Sequence, residues 1–307
     1  MRLGTLRTER GPRTILVDEG RYVRIGESLH EESAPWASDL VALIEAGEPV
    51  LSRVRGLAGS KDAVGEAPSP ARLAPPIPAP RRILCIGINY REHAEEMGHA
   101  LPEYPEIFLR LPSTLAGPYD DVPMPRDSER FDLEVELALV IRRGGRRIAR
   151  GKAMEHVFGY TVFNDLSVRD VQKRGTQWTP GKNFDGCGPC GPFVVTTDEV
   201  PEPESLDIRS SIDGFEMQHS NTRNLIFDLA TLIEDLSRFT TLEPGDLIVT
   251  GTPPGVGDGR KPPRYLHVGE TAHCRIEGIG ELANRVIPET DWTALRSGSA
   301  VTAGERM

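Results

Sequence analysis

The stretch Arg130-Phe-Asp-Leu-Glu-Val-Glu-Leu-Ala-Leu-Val-Ile141 alternates with period two, the signature of a β-strand. Phe131, Leu133, Val135, Leu137 and Leu139 fall on one face, and Asp132, Glu134 and Glu136 on the other. Same-face neighbours on a strand lie about 7 Å apart, so three like charges stand side by side. Burying them without a counter-ion is costly. One reading is a solvated face of an antiparallel sheet. The other is a divalent-cation site, for which oxygen-only ligands select a hard ion such as Mg²⁺ or Mn²⁺.

The chain around this stretch has 307 residues, enough for one large domain or two smaller ones. Its 31 glycines and 26 prolines imply many turns and favour a β-rich α+β fold over a helical bundle. A net charge of −10 argues against a nucleic-acid partner and against an anionic membrane surface. No apolar run is long enough to cross a membrane, and the first ten residues lack the apolar core of a signal peptide. The expected location is the cytoplasm.

Four cysteines are too few for a disulfide framework in a chain of this length. Cys187-Gly-Pro-Cys190 has the letters of a thiol oxidoreductase motif. The apolar run after it reads as a strand, however, and that redox chemistry uses the start of a helix. The favoured reading is a loop with incidental cysteines, and a thiol oxidoreductase is the minor alternative.

Residues 1–67 read as a small α/β domain, with strands at Thr14-Ile-Leu-Val-Asp and Arg21-Tyr-Val-Arg-Ile and a helix capped by Ser38 and ended by Gly47. Residues 68–80 form a proline-rich linker, 81–288 a catalytic domain, and 289–307 a flexible tail. After the linker, Arg82-Ile-Leu-Cys-Ile-Gly87 reads as a buried strand leading to His93 and Glu96, which share a face on a helical turn. A carboxylate there can orient an imidazole as a general base; ordinary surface charges are the alternative. Asp165 ends an apolar strand and either starts a helix or ligates a metal. Lys182 lies in a loop, residues 222–239 form an amphipathic helix, and Gly251-Thr-Pro-Pro-Gly-Val-Gly257 is a glycine-rich loop with no helix after it.

Five of these segments, in order, resemble the fumarylacetoacetate hydrolase family. They are Gly87-Ile-Asn-Tyr-Arg-Glu-His93, Phe131-Asp-Leu-Glu-Val-Glu136, Phe163-Asn-Asp-Leu-Ser-Val-Arg-Asp-Val-Gln172, Gly181-Lys-Asn-Phe-Asp185 and Thr250-Gly-Thr-Pro-Pro-Gly-Val-Gly257. The resemblance implies a domain of layered, strongly curved β-sheets, preceded by the small leading domain of bacterial members and assembled as a homodimer. It implies one divalent metal, Mg²⁺ or Mn²⁺, on Glu134, Glu136 and Asp165. Lys182 and Thr252 would touch substrate oxygens, Gln172 would lie in the substrate site, and His93 with Glu96 would activate water. Ile86 stands where fumarylacetoacetase has a fourth carboxylate, which points to a smaller bacterial relative. Arg110 stands roughly where many relatives have lysine, as a residue for a substrate carboxylate.

The implied activity is C–C bond hydrolysis of a small 2,4-diketo acid: water attacks the distal carbonyl and the departing fragment is stabilised as an enolate by the metal. The same enolate stabilisation serves decarboxylation or isomerisation of related 2-oxo acids.

Overall fold

The computed structural model describes residues 1–297 of the chain. Its centre is the strand Val135–Ile141, buried along its whole length. Val157–Asn164 pairs with it on one side and Leu247–Val249 on the other, both antiparallel. Ile83–Gly87 then lies parallel to Leu247–Val249, with Cys85 opposite Val249. Because Val135 faces Asn164 and Ala138 faces Val249, one end of the sheet gathers Glu134, Asp165, Thr252 and Gly87.

The quoted stretch is not one continuous strand. Phe131–Asp132 pairs with Ser167–Val168, and the ladder resumes only at Val135. Side chains bridge the gap: Asn164 Oδ1 accepts from the Glu134 N–H at 3.0 Å, and Gln218 Oε1 accepts from the Val135 N–H at 3.0 Å. Nor is the second face solvated. Ala138 and Val140 continue it into a core shared with Leu40, Leu43 and Ile44 of the N-terminal helix, while Leu137 and Leu139 face the other core. Both faces are covered, so acidic side chains on them are buried.

Among the described residues the large sheet has twelve strands, and the N-terminal segment belongs to it. Arg2–Thr8 pairs with Gly188–Thr196, placing Leu3 opposite Val194, and carries Gly11–Asp18, Arg21–Arg24 and Gly65–Glu66 outward from there. The proline-rich segment joins it too, since Leu73–Ala74 pairs with Arg2–Thr8. A five-stranded sheet packs on the opposite side, where Ile208, Ala272, Ile276 and Leu282 meet Leu137 and Leu139. The layers are helix, large sheet and smaller sheet, a sheet-dominated α+β fold.

Several local expectations are corrected. The cap of the helix Leu40–Ala46 is Asp39, which accepts from Val41 N–H at 2.8 Å, not Ser38. The helix expected at residues 222–239 runs only over Leu229–Phe239, because Asp228 caps it by accepting from Thr231 N–H. Leu225 therefore lies outside it, and Phe239 is exposed. Lys182 ends a short helix, Thr179–Lys182, rather than sitting in a loop. Cys190 is inside the strand Gly188–Thr196, and all four cysteines are free and buried. Glu289–Ser297 is helical where a tail is expected; the rest of that tail lies outside the described residues.

Candidate active site

Glu134, Glu136 and Asp165 converge at the gathered end of the sheet. Each offers a carboxylate oxygen within 4.8 Å of the other two, and all three are buried. Glu136 follows the ladder gap by two residues, and Asp165 follows the last residue of Val157–Asn164. Asp165 caps no helix: Ser167–Val168 intervenes, and the helix begins at Arg169. Asp132 lies outside the group, on the far side of the break in the ladder. Its carboxylate accepts from Arg169 Nε and Nη2 at 2.8 and 2.7 Å and from the N–H groups of Gly257 and Asp258 at 2.8 and 3.0 Å.

Three cations hold the carboxylates. Lys182 Nζ donates to Glu134 Oε2 at 2.6 Å and to Asp165 Oδ2 at 2.5 Å. Arg169 Nη1 lies 2.6 Å from Glu134 Oε1 and donates to Gln172 Oε1 at 3.2 Å. Arg110 donates to Asp165 Oδ1. Four buried carboxylates (Asp132, Glu134, Glu136, Asp165) thus face three buried cations, which leaves one negative charge in excess. The excess falls on Glu136. Its bond is from the Gly251 N–H at 2.6 Å, and no ammonium or guanidinium bonds it among the described residues. Gly251 has φ +100°, and a Cβ there would come within 2.7 Å of Asn89, so glycine is required for that N–H to reach Glu136.

The electrostatics follow. Burial alone would raise Glu134, but Arg169, Lys182 and His93 outweigh it and hold the carboxyl at about 2. Burial pushes Glu136 well up, and the charges on Asp165 and Glu134 push it further. Burial opposes the charge on Lys182, but Asp165 and Glu134 win and raise it. Lys182 is therefore a fixed ammonium, not a base. An oxygen-only donor set with one unbalanced negative charge fits a hard divalent cation.

A cavity of about 270 Å³ opens over the three carboxylates. Its wall includes His93, Gln172, Lys182 and Thr252, all expected at the site. His93 lies on the helix Arg91–Glu96, with Nδ1 3.2 Å from Glu96 Oε2. The glycine-rich loop holds Glu96 in turn, since Gly255 N–H donates to both carboxylate oxygens at 2.9 and 3.1 Å. Thr252 Oγ1 donates to Val135 O and accepts from Gln218 Nε2. Arg110 is the exception. It does not line the cavity; it lies behind Asp165, where its Nη2 also donates to the Cys187 carbonyl and Sγ at 2.6 and 2.8 Å.

Among the wall residues that escape the sequence reading, Arg169 and Trp178 stand out. Arg169 falls inside a quoted segment, three residues before Gln172, and that helical spacing is the available signal. Trp178 packs edge-on to Phe108, and its ring fills the space beside Gly87, where a Cβ would meet it at 2.0 Å. No local pattern announces that contact.

The profile of the fumarylacetoacetate (FAA) hydrolase C-terminal family matches residues 82–287, and that span contains every one of these side chains. The chain belongs to this family. Among its relatives is the mitochondrial oxaloacetate tautomerase FAHD2A of Bos taurus, 42% identical over 250 residues, which are 81% of this chain and 79% of that one. Among solved structures, fumarylacetoacetate hydrolase from Exiguobacterium antarcticum superposes with a TM-score of 0.80 at 33% identity, covering 94% of this chain and 99% of that one. Maleylpyruvate hydrolase from Sphingobium sp. SYK-6, in complex with manganese(II) and pyruvate, does so with 0.78 at 29% identity and the same coverage. Members of this family are enzymes of 2-oxo acids, and so is this chain. No helix among the described residues is long and apolar enough to cross a membrane.

Proposed function

We propose that the chain catalyses proton transfer at the carbon next to the 2-oxo group of a small acid, interconverting keto and enol forms of an oxaloacetate-like substrate. The observation that carries this reading is the oriented His93–Glu96 pair in the wall of a cavity floored by three carboxylates. The bovine relative, named an oxaloacetate tautomerase, favours it over the other reactions that such a site could run.

Glu134, Glu136 and Asp165 would hold Mg²⁺ or Mn²⁺. When bound, that ion supplies Lewis-acid polarisation of the 2-oxo oxygen. Lys182, itself buried, adds a fixed positive charge where negative charge develops. Glu96 accepts from His93 Nδ1, which leaves Nε2 free to take the proton from C3 and deliver it to the 2-oxo oxygen, giving the enol; the reverse transfer restores the keto form. Gln172, whose Oε1 accepts from Arg169, has its amide N–H groups to orient the acid, and Thr252, held by Val135 and Gln218, shapes the wall beside it. The protein would act as a cytoplasmic homodimer.

Hydrolysis of a 2,4-diketo acid is the second reading, supported by the likeness to maleylpyruvate hydrolase. There His93 would take its proton from water instead. Incubating the Mg²⁺-loaded protein with oxaloacetate while following enol absorbance tests the first reading. Coupling acetylpyruvate cleavage to pyruvate detection tests the second. Tautomerisation no faster than the buffer rate, beside rapid pyruvate release, would reverse their order.

A further inference from the structure

The cavity wall holds three permanently cationic side chains, Arg169, Lys173 and Lys182. Two are committed to buried carboxylates: Lys182 to Glu134 and Asp165, Arg169 to Asp132 and Glu134. Lys173 is different. It touches none of the three floor carboxylates, and its side chain is 55% exposed, at the mouth. Its Nζ lies 2.5 Å from Asp258 Oδ2. Asp258 is itself fixed, because its side chain is only 5% exposed, Tyr265 OH donates to Oδ1 at 2.7 Å, and its N–H donates to Asp132.

An ammonium has three donors. One goes to Asp258, which leaves two at the rim of the cavity, directly after Gln172 in the chain. The anchor restricts where the flexible lysine stem can go, so less freedom is lost when a ligand binds. A 2-oxo acid whose own carboxylate and oxo group face the floor directs any second carboxylate outward, towards this rim. His99 also lines the rim and can contribute a further donor.

We infer that Lys173, anchored by Asp258, is the receptor for the distal carboxylate, and that it makes the site selective for dicarboxylic over monocarboxylic 2-oxo acids. This rests on the 2-oxo-acid reading above. It names a residue that neither the metal group nor the His93–Glu96 pair requires.

The test uses binding as well as turnover. Malate and lactate differ by the distal carboxylate, and Trp178 in the wall makes tryptophan fluorescence of the Mg²⁺-loaded protein a binding signal. Lys173→Ala should reduce the preference for malate over lactate about tenfold, Lys173→Arg should largely keep it, and Asp258→Asn should reduce it by a smaller factor. The ratio of kcat/KM for oxaloacetate to that for acetylpyruvate should fall in parallel. A parent protein that prefers malate and a Lys173→Ala variant with the same preference would overturn the inference, as would a parent with no preference. A parent that prefers malate through Lys173 but turns over neither oxo acid would instead overturn the reading of the reaction.

Discussion

Arg110 grips Asp165 from behind. Its guanidinium bonds the carboxylate on the side away from the cavity, and its remaining donors reach the Cys187 carbonyl and sulfur. The side chain is fully buried, so it cannot meet substrate without leaving Asp165. It acts as a positioning residue for one arm of the carboxylate group.

Arg110→Met should therefore weaken Mn²⁺ binding by about 10- to 100-fold, the usual cost of losing a group that orients a metal-binding side chain. It should also lower stability by about 3–5 kcal/mol, because a buried carboxylate loses a partner. Arg110→Lys should recover part of the stability but not the three-way geometry. Calorimetric titration with Mn²⁺ and thermal denaturation check both.

Glu136 gives the sharpest test of the metal. Its carboxylate is surrounded by Asp165 and Glu134 without a bonded cation, so the isosteric Glu136→Gln removes a repulsion. Without metal, that variant should melt no lower than the parent. Adding Mg²⁺ at a hundred times its dissociation constant should stabilise the parent by about 2.7 kcal/mol and the variant hardly at all. Equal metal-dependent shifts in both proteins would remove Glu136 from the ligand set.

His93→Ala should reduce turnover by about 10² to 10⁴, the range for loss of a general base. Metal binding should survive, since the imidazole bonds Glu96 and not the three carboxylates, and Arg169 and Lys182 still hold Glu134. Glu96→Gln should cost less, because the amide can still accept from His93 Nδ1. A parent-like rate for His93→Ala in both the tautomerase and the cleavage assay would assign the proton transfer to another group.

The cysteines should be inert in the folded protein. Burial raises the thiol of Cys190 to about 12, and burial likewise pushes Cys85, Cys187 and Cys274 up. At pH 8 their thiolate fraction is small, so a chromogenic disulfide reagent should label none of them until denaturant is added. The double variant Cys187→Ser, Cys190→Ser should keep turnover within about tenfold of the parent. Rapid labelling of the native protein would restore interest in the Cys187–Cys190 pair.

Much of the site is legible in the sequence, for a physical reason. Glu134 and Glu136 ride on a period-two apolar pattern, and Asp165 ends another, so strand pairing alone brings them together. Asp132 obeys the same pattern yet lies outside the three-carboxylate group: the ladder is interrupted between it and Val135, and its carboxylate is taken up by Arg169 and by the N–H groups of Gly257 and Asp258. Arg110 shows another limit: the sequence gives its chemistry but not which side of Asp165 it occupies. The pairing of Arg2–Thr8 with Gly188–Thr196 is invisible for a third reason. Nothing local in either strand specifies a partner so remote along the chain.

That pairing bears on how the enzyme can be cut or fused. Gly188–Thr196 carries Cys190 and Val194, both within the core that Leu3, Leu16 and Leu40 complete. A fragment starting at residue 81 would keep every side chain of the candidate site, yet it would bare this core and leave Gly188–Thr196 as an uncovered edge strand. Such edges recruit other chains and aggregate. The leading segment is thus the lid on a sticky seam, and a soluble minimal enzyme has to retain it.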